Sequence, residues 1–218
     1  MRESLDHKGI WFNEHQGNSL AFLNTADHTL TEFNIPNNQP PEPSPYMINN
    51  PIARQNIGAQ DAYYSAVFTL NLSLDPKNPN RLWFSQWNND KIGVVDRSRP
   101  LPFDIHSNVT QIVLSGNDSL QQKAVIDINV TKNHDALLEE NGNINSVFLA
   151  TSSTMVPNGG FTKISAKFTN DIINFTKPDM QVQLVLKNEG AKAGNYTVGI
   201  SASDGLVTKT IFFDLIIL

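Results

Sequence analysis

The segment Gly9-Ile-Trp-Phe-Asn-Glu-His-Gln-Gly-Asn-Ser-Leu-Ala-Phe-Leu-Asn24 returns without a gap as Arg81-Leu-Trp-Phe-Ser-Gln-Trp-Asn-Asn-Asp-Lys-Ile-Gly-Val-Val-Asp96. Trp11 matches Trp83, Phe12 matches Phe84, Leu20 matches Ile92 and Asn24 matches Asp96, at a constant spacing of 72 residues. An internal repeat narrows the fold more than any other feature, because each copy must be the same supersecondary unit and must bury its apolar face on a neighbour. Each copy reads as a short strand, a polar turn and a second short strand, a β-hairpin. Leu30 to Ile35 alternates and is closed by Pro36, so it reads as a third strand after the first copy. Before the second copy, Val67 to Leu74 alternates with Phe68, Leu70, Leu72 and Leu74 on one face, and Asp75-Pro-Lys-Asn-Pro-Asn80 supplies the turn into Leu82.

The unit is therefore a four-stranded antiparallel meander, the architecture of a propeller blade. Only Ser4-Leu5-Asp6 remains of a first strand before the first copy, so the repeat region amounts to about one and a half blades. The expectation that follows is a chain whose remaining blades lie upstream of Met1 in a longer parent. The pattern Ile/Leu-Trp-Phe-x-Glu/Gln-His/Trp, then a small polar turn, an apolar strand and Asn/Asp, then Thr-Glu-Phe-x-Ile-Pro resembles the virginiamycin B lyase-like (streptogramin lyase) propellers, and more loosely NHL-type repeats. The resemblance covers about residues 4–103. It implies the fold first. For activity it implies a histidine base and Mg²⁺-holding glutamates that open a cyclic depsipeptide by β-elimination, with Glu14 and His15 at the corresponding repeat position. The second copy carries Gln86-Trp87 there.

In such a meander the turn after the Trp-Phe strand and the connection to the next blade emerge on one face. Glu14-His15-Gln16-Gly17-Asn18 is that turn, and residues 37–65 are that connection. The connection opens with Pro40, Pro41, Pro43 and Pro45, which favour an extended course, and carries Tyr46, Tyr63 and Tyr64 as candidate ligand-binding residues. Loops of that length are commonly functional or disordered. The bland alternative is a loop packed across a neighbouring blade.

Residues 97–103, Arg-Ser-Arg-Pro-Leu-Pro-Phe, read as a linker between a partial propeller (1–96) and a second domain (104–218). The second domain shows seven alternating runs, near 111–115, 123–131, 146–152, 162–169, 180–187, 196–202 and 206–217. Ala124, Ile126, Ile128 and Val130 share one face; Met180, Val182, Leu184 and Leu186 share another. Seven short strands in about a hundred residues point to an immunoglobulin-like β-sandwich. Gly194 to Gly205 resembles the penultimate strand of bacterial and archaeal Ig-like surface modules, with Tyr196 where a tyrosine corner would tie the strand to the preceding loop. The predicted fold is thus all-β: a partial propeller followed by an Ig-like sandwich.

Composition closes several functional classes. The net charge of −5 comes without a basic cluster, so the electrostatic footprint of a nucleic-acid binder is missing. There is no cysteine, which removes disulfide scaffolds, thiolate zinc sites and cysteine nucleophiles. The most apolar stretch, Ile211 to Leu218, is too short to cross a bilayer as a helix and contains Asp214. Met1 to Lys8 has no apolar signal-peptide core. Charged residues make up only 17%, with Asn, Ser and Thr supplying polarity as in extracellular β modules. Sequons at Asn71, Asn108, Asn117, Asn129, Asn174 and Asn195 are glycosylation candidates in the same sense.

Of the five histidines, His7, His15, His28, His106 and His134, none has a second histidine or a carboxylate at metal-ligand spacing, apart from adjacent pairs such as Glu14-His15 and His134-Asp135. Asn141-x-Asn143-x-Asn145 lacks the acids of a calcium loop. No nucleophile elbow, phosphate loop or dinucleotide fingerprint occurs. The expectation is a non-catalytic extracellular or cell-surface protein without a cofactor, its propeller a platform for a surface protein or small ligand and its Ig-like domain a spacer. The alternative is a Mg²⁺-dependent lyase using Glu14 and His15.

Overall fold

A computed structural model describes residues 1–14, 19–35, 69–86, 90–115, 123–133, 146–151 and 163–218. Among them every regular element is a strand. The chain divides into two compact units, residues 1–26 with 32–98 and residues 27–31 with 99–218.

In the first unit β1 (Arg2–Glu3), β2 (Gly9–Glu14), β3 (Ser19–Asn24) and β4 (Thr29–Asn34, of which Glu32 to Asn34 belong to this unit) follow one another in one sheet, and β5 (Thr69–Leu74), β6 (Arg81–Gln86) and β7 (Lys91–Asp96) form another. The first strand is therefore Arg2–Glu3 rather than Ser4–Asp6. Ser4 instead closes the turn: its hydroxyl accepts from the Gly9 amide at 3.0 Å, and its carbonyl accepts from the His7 amide at 3.0 Å. The two copies of the repeat fold into hairpins of identical register. Trp11 pairs Phe22 as Trp83 pairs Val94, and Glu14 pairs Ser19 as Gln86 pairs Lys91. The turns beyond them match too, Asn24 Oδ1 accepting from the Ala26 amide and Asp96 Oδ1 from the Ser98 amide, both at 3.0 Å.

Cross-strand partners point to the same face, so each hairpin has two faces. In the first sheet Trp11, Leu20 and Phe22 share one face, and this face packs on Leu72, Leu82 and Phe84, which share the opposite face of the second sheet. Phe33, Leu74 and Val95 flank the contact. The Trp11 ring lies 4.8 Å from Phe22 and 6.0 Å from Phe33, both tilted. Gly93 sits beneath Phe84, where a Cβ would meet the ring at 2.2 Å, so its lack of a side chain lets the ring lie flat in the contact. Burying each of these large side chains stabilises by about 1.5–3 kcal/mol.

One strand departs from strict alternation. The register of β5 shifts between Thr69 and Leu72, so Thr69 and Leu72 are both buried and Leu70 is turned outward. A bulge inserts an extra residue and re-aims the side chains beside it. It also frees backbone carbonyls, and Asn13 Nδ2 donates to those of Thr69 at 2.7 Å and Leu70 at 3.4 Å. The irregularity thus adds polar contacts between the two sheets.

The second unit contains β8 (Phe103–Ser107), β9 (Gln111–Leu114), β10 (Lys123–Lys132), β11 (Ser146–Thr151), β12 (Ile164–Phe168), β13 (Ile172–Asn174), β14 (Asp179–Asn188), β15 (Gly194–Ser203) and β16 (Val207–Ile217). One antiparallel sheet has the order β12-β14-β10-β8; in the other β16, β15, β11 and β13 are neighbours, with β9 parallel beside β16. Alternating residues of both sheets meet in one core, with Ile128, Leu184, Leu186, Ile200 and Leu215 fully buried. This is a β-sandwich. Ile126, Ile128 and Val130, and Val182, Leu184 and Leu186, line the core as their spacing predicts. Phe103, placed at the end of the linker by its prolines, instead opens β8 and is buried in the core.

Tyr196 is buried, and its hydroxyl donates to the Lys192 carbonyl at 2.6 Å. The bond ties the start of β15 to the preceding loop, as the sequence predicts. Tyr196→Phe is expected to cost about 1 kcal/mol, with the Lys192 carbonyl losing its partner. Amide exchange in β15, compared between wild type and variant, checks this; unchanged protection there would remove the corner from the account.

Candidate functional site

The β2–β3 hairpin closes on the pair Glu14 and Ser19, with residues 15–18 of the turn outside the described residues. The buried Ser19 hydroxyl donates to Glu14 Oε2 at 2.7 Å. Next to them on β4, Glu32 is half-buried and hydrogen-bonds Glu14. Burial pushes the Glu32 carboxyl above its usual range, and the neighbouring Glu14, by its charge and by the hydrogen bond, pushes it further. Two carboxyls and a hydroxyl therefore converge at one end of the first sheet. Chemically the group can share a proton, or offer oxygen ligands to a hard cation.

Sequence reading found Glu14 and missed Glu32. The only signal was that Glu32 alternates with Phe33 and lies one strand away from the hairpin. In the second hairpin Gln86 and Lys91 stand where Glu14 and Ser19 stand in the first, so the bond from hydroxyl to carboxylate is not repeated there.

His15, Tyr46, Tyr63 and Tyr64 lie outside the described residues, as does Asn117. Near the start of the first sheet a hollow of about 410 Å³ is lined by Arg2, Glu3, His7, Gly9, Ile10 and Thr25. His7 Nδ1 and Glu3 Oε1 are 2.7 Å apart, and that hydrogen bond and the Glu3 charge raise the histidine's pKa. Among the described residues, no three His, Cys, Asp or Glu side chains gather as a metal site, and no helix is long and apolar enough to cross a membrane. The sequon residues Asn71, Asn108, Asn174 and Asn195 are exposed, and Asn129 is half-buried between Gln181 and His106 in the sheet. In the sandwich, the polar contacts are of a structural kind. Lys209 Nζ meets Asp104 at 2.6 Å, and Asn188 Oδ1 accepts from the Gly190 and Ala191 amides.

No protein-family model matches the chain, and no curated protein does. Among solved structures, a family 123 glycoside hydrolase from Clostridium perfringens matches at 13% identity and a TM-score of 0.42, over 54% of this chain and 27% of that one. Domains 4 and 5 of the S-layer protein SbsC match at 9% identity and 0.34, over 63% and 56%. The Salmonella enterica pilin SafA in complex with the chaperone SafB matches at 10% identity and 0.35, over 54% and 55%. The chain thus spans about a quarter of the first and just over half of the other two.

Proposed function

We propose that the chain is a non-catalytic binding protein of the cell surface or extracellular space. In this reading the first unit is a pair of propeller-like blades serving as a platform for a surface protein or small ligand, and the second is an Ig-like spacer. The observation that carries it is the use already made of Glu14. Its carboxylate accepts the Ser19 hydroxyl and hydrogen-bonds a half-buried Glu32, so it closes the hairpin end as a structural latch. A carboxylate that holds Mg²⁺ must instead turn its oxygens to the ion. The sandwich adds a closed apolar core and exposed sequon residues, which suits a spacer.

A second reading rests on the same residues. Under the lyase alternative, Glu14 and Glu32 would supply two oxygen ligands to Mg²⁺, which keeps several waters and tolerates few protein ligands; the ion would stabilise the leaving oxyanion. One experiment separates the readings: the chain is mixed with a streptogramin B depsipeptide and Mg²⁺, and ring opening is followed by mass. The binding reading expects no turnover. Ring opening that disappears on Glu14→Gln, with the fold retained by circular dichroism, would establish the lyase.

A further inference from the structure

The repeat makes the two sheets comparable position by position, and the comparison exposes an unfilled surface. In the first sheet Trp11, Leu20 and Phe22 are 0%, 0% and 4% exposed, covered by the second sheet. Their repeat equivalents Trp83, Ile92 and Val94 are 41%, 76% and 47% exposed. Register places these three on one face as well, because Trp83 pairs Val94 and Ile92 pairs Ser85 in the adjacent row. The second sheet therefore presents, exposed, the same kind of face that the first sheet buries.

The complementary surface is also on the chain. The face that covers Trp11 is built from Leu72, Leu82, Phe84 and Val95. Its equivalents in the first hairpin are Ile10, Phe12 and Leu23, which stand where Leu82, Phe84 and Val95 stand in the second. These three are only partly buried, whereas Leu82 and Phe84 are buried. The first unit thus carries a bare donor face at one side and a half-open acceptor face at the other, and it already joins one such pair internally.

We infer that the chain associates head to tail with a second copy of itself, the Trp83–Ile92–Val94 face of one protomer docking on the Ile10–Phe12–Leu23 face of the next. The internal contact between the two sheets is the template. Exposed contiguous apolar side chains of this kind mark association surfaces, and a heterologous contact of this type builds rings or open chains, not closed two-fold pairs. With two sheets per chain, a small number of copies would reach the sheet count at which radial sheet assemblies close. This goes beyond the platform proposed above and does not depend on what the platform binds.

Sedimentation velocity of the full chain across a concentration series tests it. Wild type is expected to associate in a concentration-dependent way. Ile92→Glu, at a position 76% exposed, and Leu23→Glu, on the opposite face, should each sediment as monomers, with circular dichroism confirming the fold. Mixed together they should form a one-to-one heterodimer, since each retains the face the other lacks. A wild type that stays monomeric at every concentration overturns the inference. So does a Leu23→Glu chain that still pairs with itself, which would mean a two-fold contact between like faces. Association untouched by Ile92→Glu would place the contact on another surface, and likewise overturns it. If Leu23→Glu fails to fold, Phe12→Ser at the same face replaces it, with the same outcomes.

Discussion

Trp11→Ala is expected to destabilise the first unit by about 3–5 kcal/mol, and Trp83→Ala by less than about 0.5 kcal/mol under conditions where the chain is monomeric. The two residues occupy one position of the repeat and would be given one weight by sequence. Trp11 is fully buried at the centre of the contact between the sheets, against Phe22, Phe33 and the residues of β6. Its removal leaves a cavity that two stacked sheets can collapse only by sliding, so the transfer loss and the cavity cost add. Its indole N–H finds no acceptor among the described residues, so part of the loss is returned when that buried donor is removed. Trp83 faces outward, and its ring N–H donates to the Asp75 carboxylate at 3.5 Å. All three tryptophans, Trp11, Trp83 and Trp87, fall in residues 1–98, so tryptophan emission during denaturation reports the first unit alone. Equal midpoint shifts for the two variants would show that the copies are buried alike, contrary to the structure.

The repeat was the strongest guide because it carries register. Two sequences aligned without a gap must make hairpins with matching pairs, and the pairs Trp11–Phe22 and Trp83–Val94 bear this out. Alternation guided the sandwich equally well in β10 and β14, where ten-residue strands give a period-2 pattern long enough to read. It failed in three places, each for a physical reason. The bulge in β5 adds a residue, and a periodic reading then assigns Leu70 to the wrong face. The three residues of β13 are too few to show a period. The prolines before Phe103 read as linker, although Phe103 itself begins a core strand. The candidate site was legible only by half. Glu14 stood out because it sits in the repeat, but Glu32 reaches it through pairing between strands, which no local motif records.

Arg97→Ala is expected to cost about 2–3 kcal/mol in the first unit and to flatten its acid dependence. Arg97 follows β7, and its amide donates to the Asn80 carbonyl at 2.9 Å, just as the Thr25 amide, its repeat equivalent, donates to the Lys8 carbonyl. Its side chain does what Thr25 cannot. The guanidinium stacks 4.2 Å from the Phe22 ring, bonds Asn80 Oδ1 at 3.2 Å and meets Asp6 Oδ2 at 2.5 Å. One side chain thus pins the second sheet to the first sheet's opening turn. The stacking contributes about 0.5–1 kcal/mol or more as it is desolvated, and the charge-assisted bonds add roughly 1.5 kcal/mol after discount for partial exposure. Burial pushes the Asp6 carboxyl up, but the Ser4 hydroxyl, the Lys8 amide and the Arg97 guanidinium outweigh it and hold it at about 2, below its ordinary 3.8. A carboxyl held low in the folded state binds protons more weakly there than in the unfolded chain. Its stabilisation is therefore complete above about pH 4 and is lost as the pH falls from 4 towards 2. Asp96, held at about 2 by the Ser98 hydroxyl and Arg81, titrates in the same window, so wild type and variant must be compared at each pH. Denaturation followed by tryptophan emission at pH 7 and pH 3 should show a gap between Arg97→Ala and wild type that narrows in acid. Arg97→Lys should fall between them, keeping the charge while losing the planar stack and the fork. A gap that stays constant from pH 7 to pH 3 would mean that Arg97 acts through packing on Phe22 alone and that Asp6 owes its acidity to the Ser4 and Lys8 bonds.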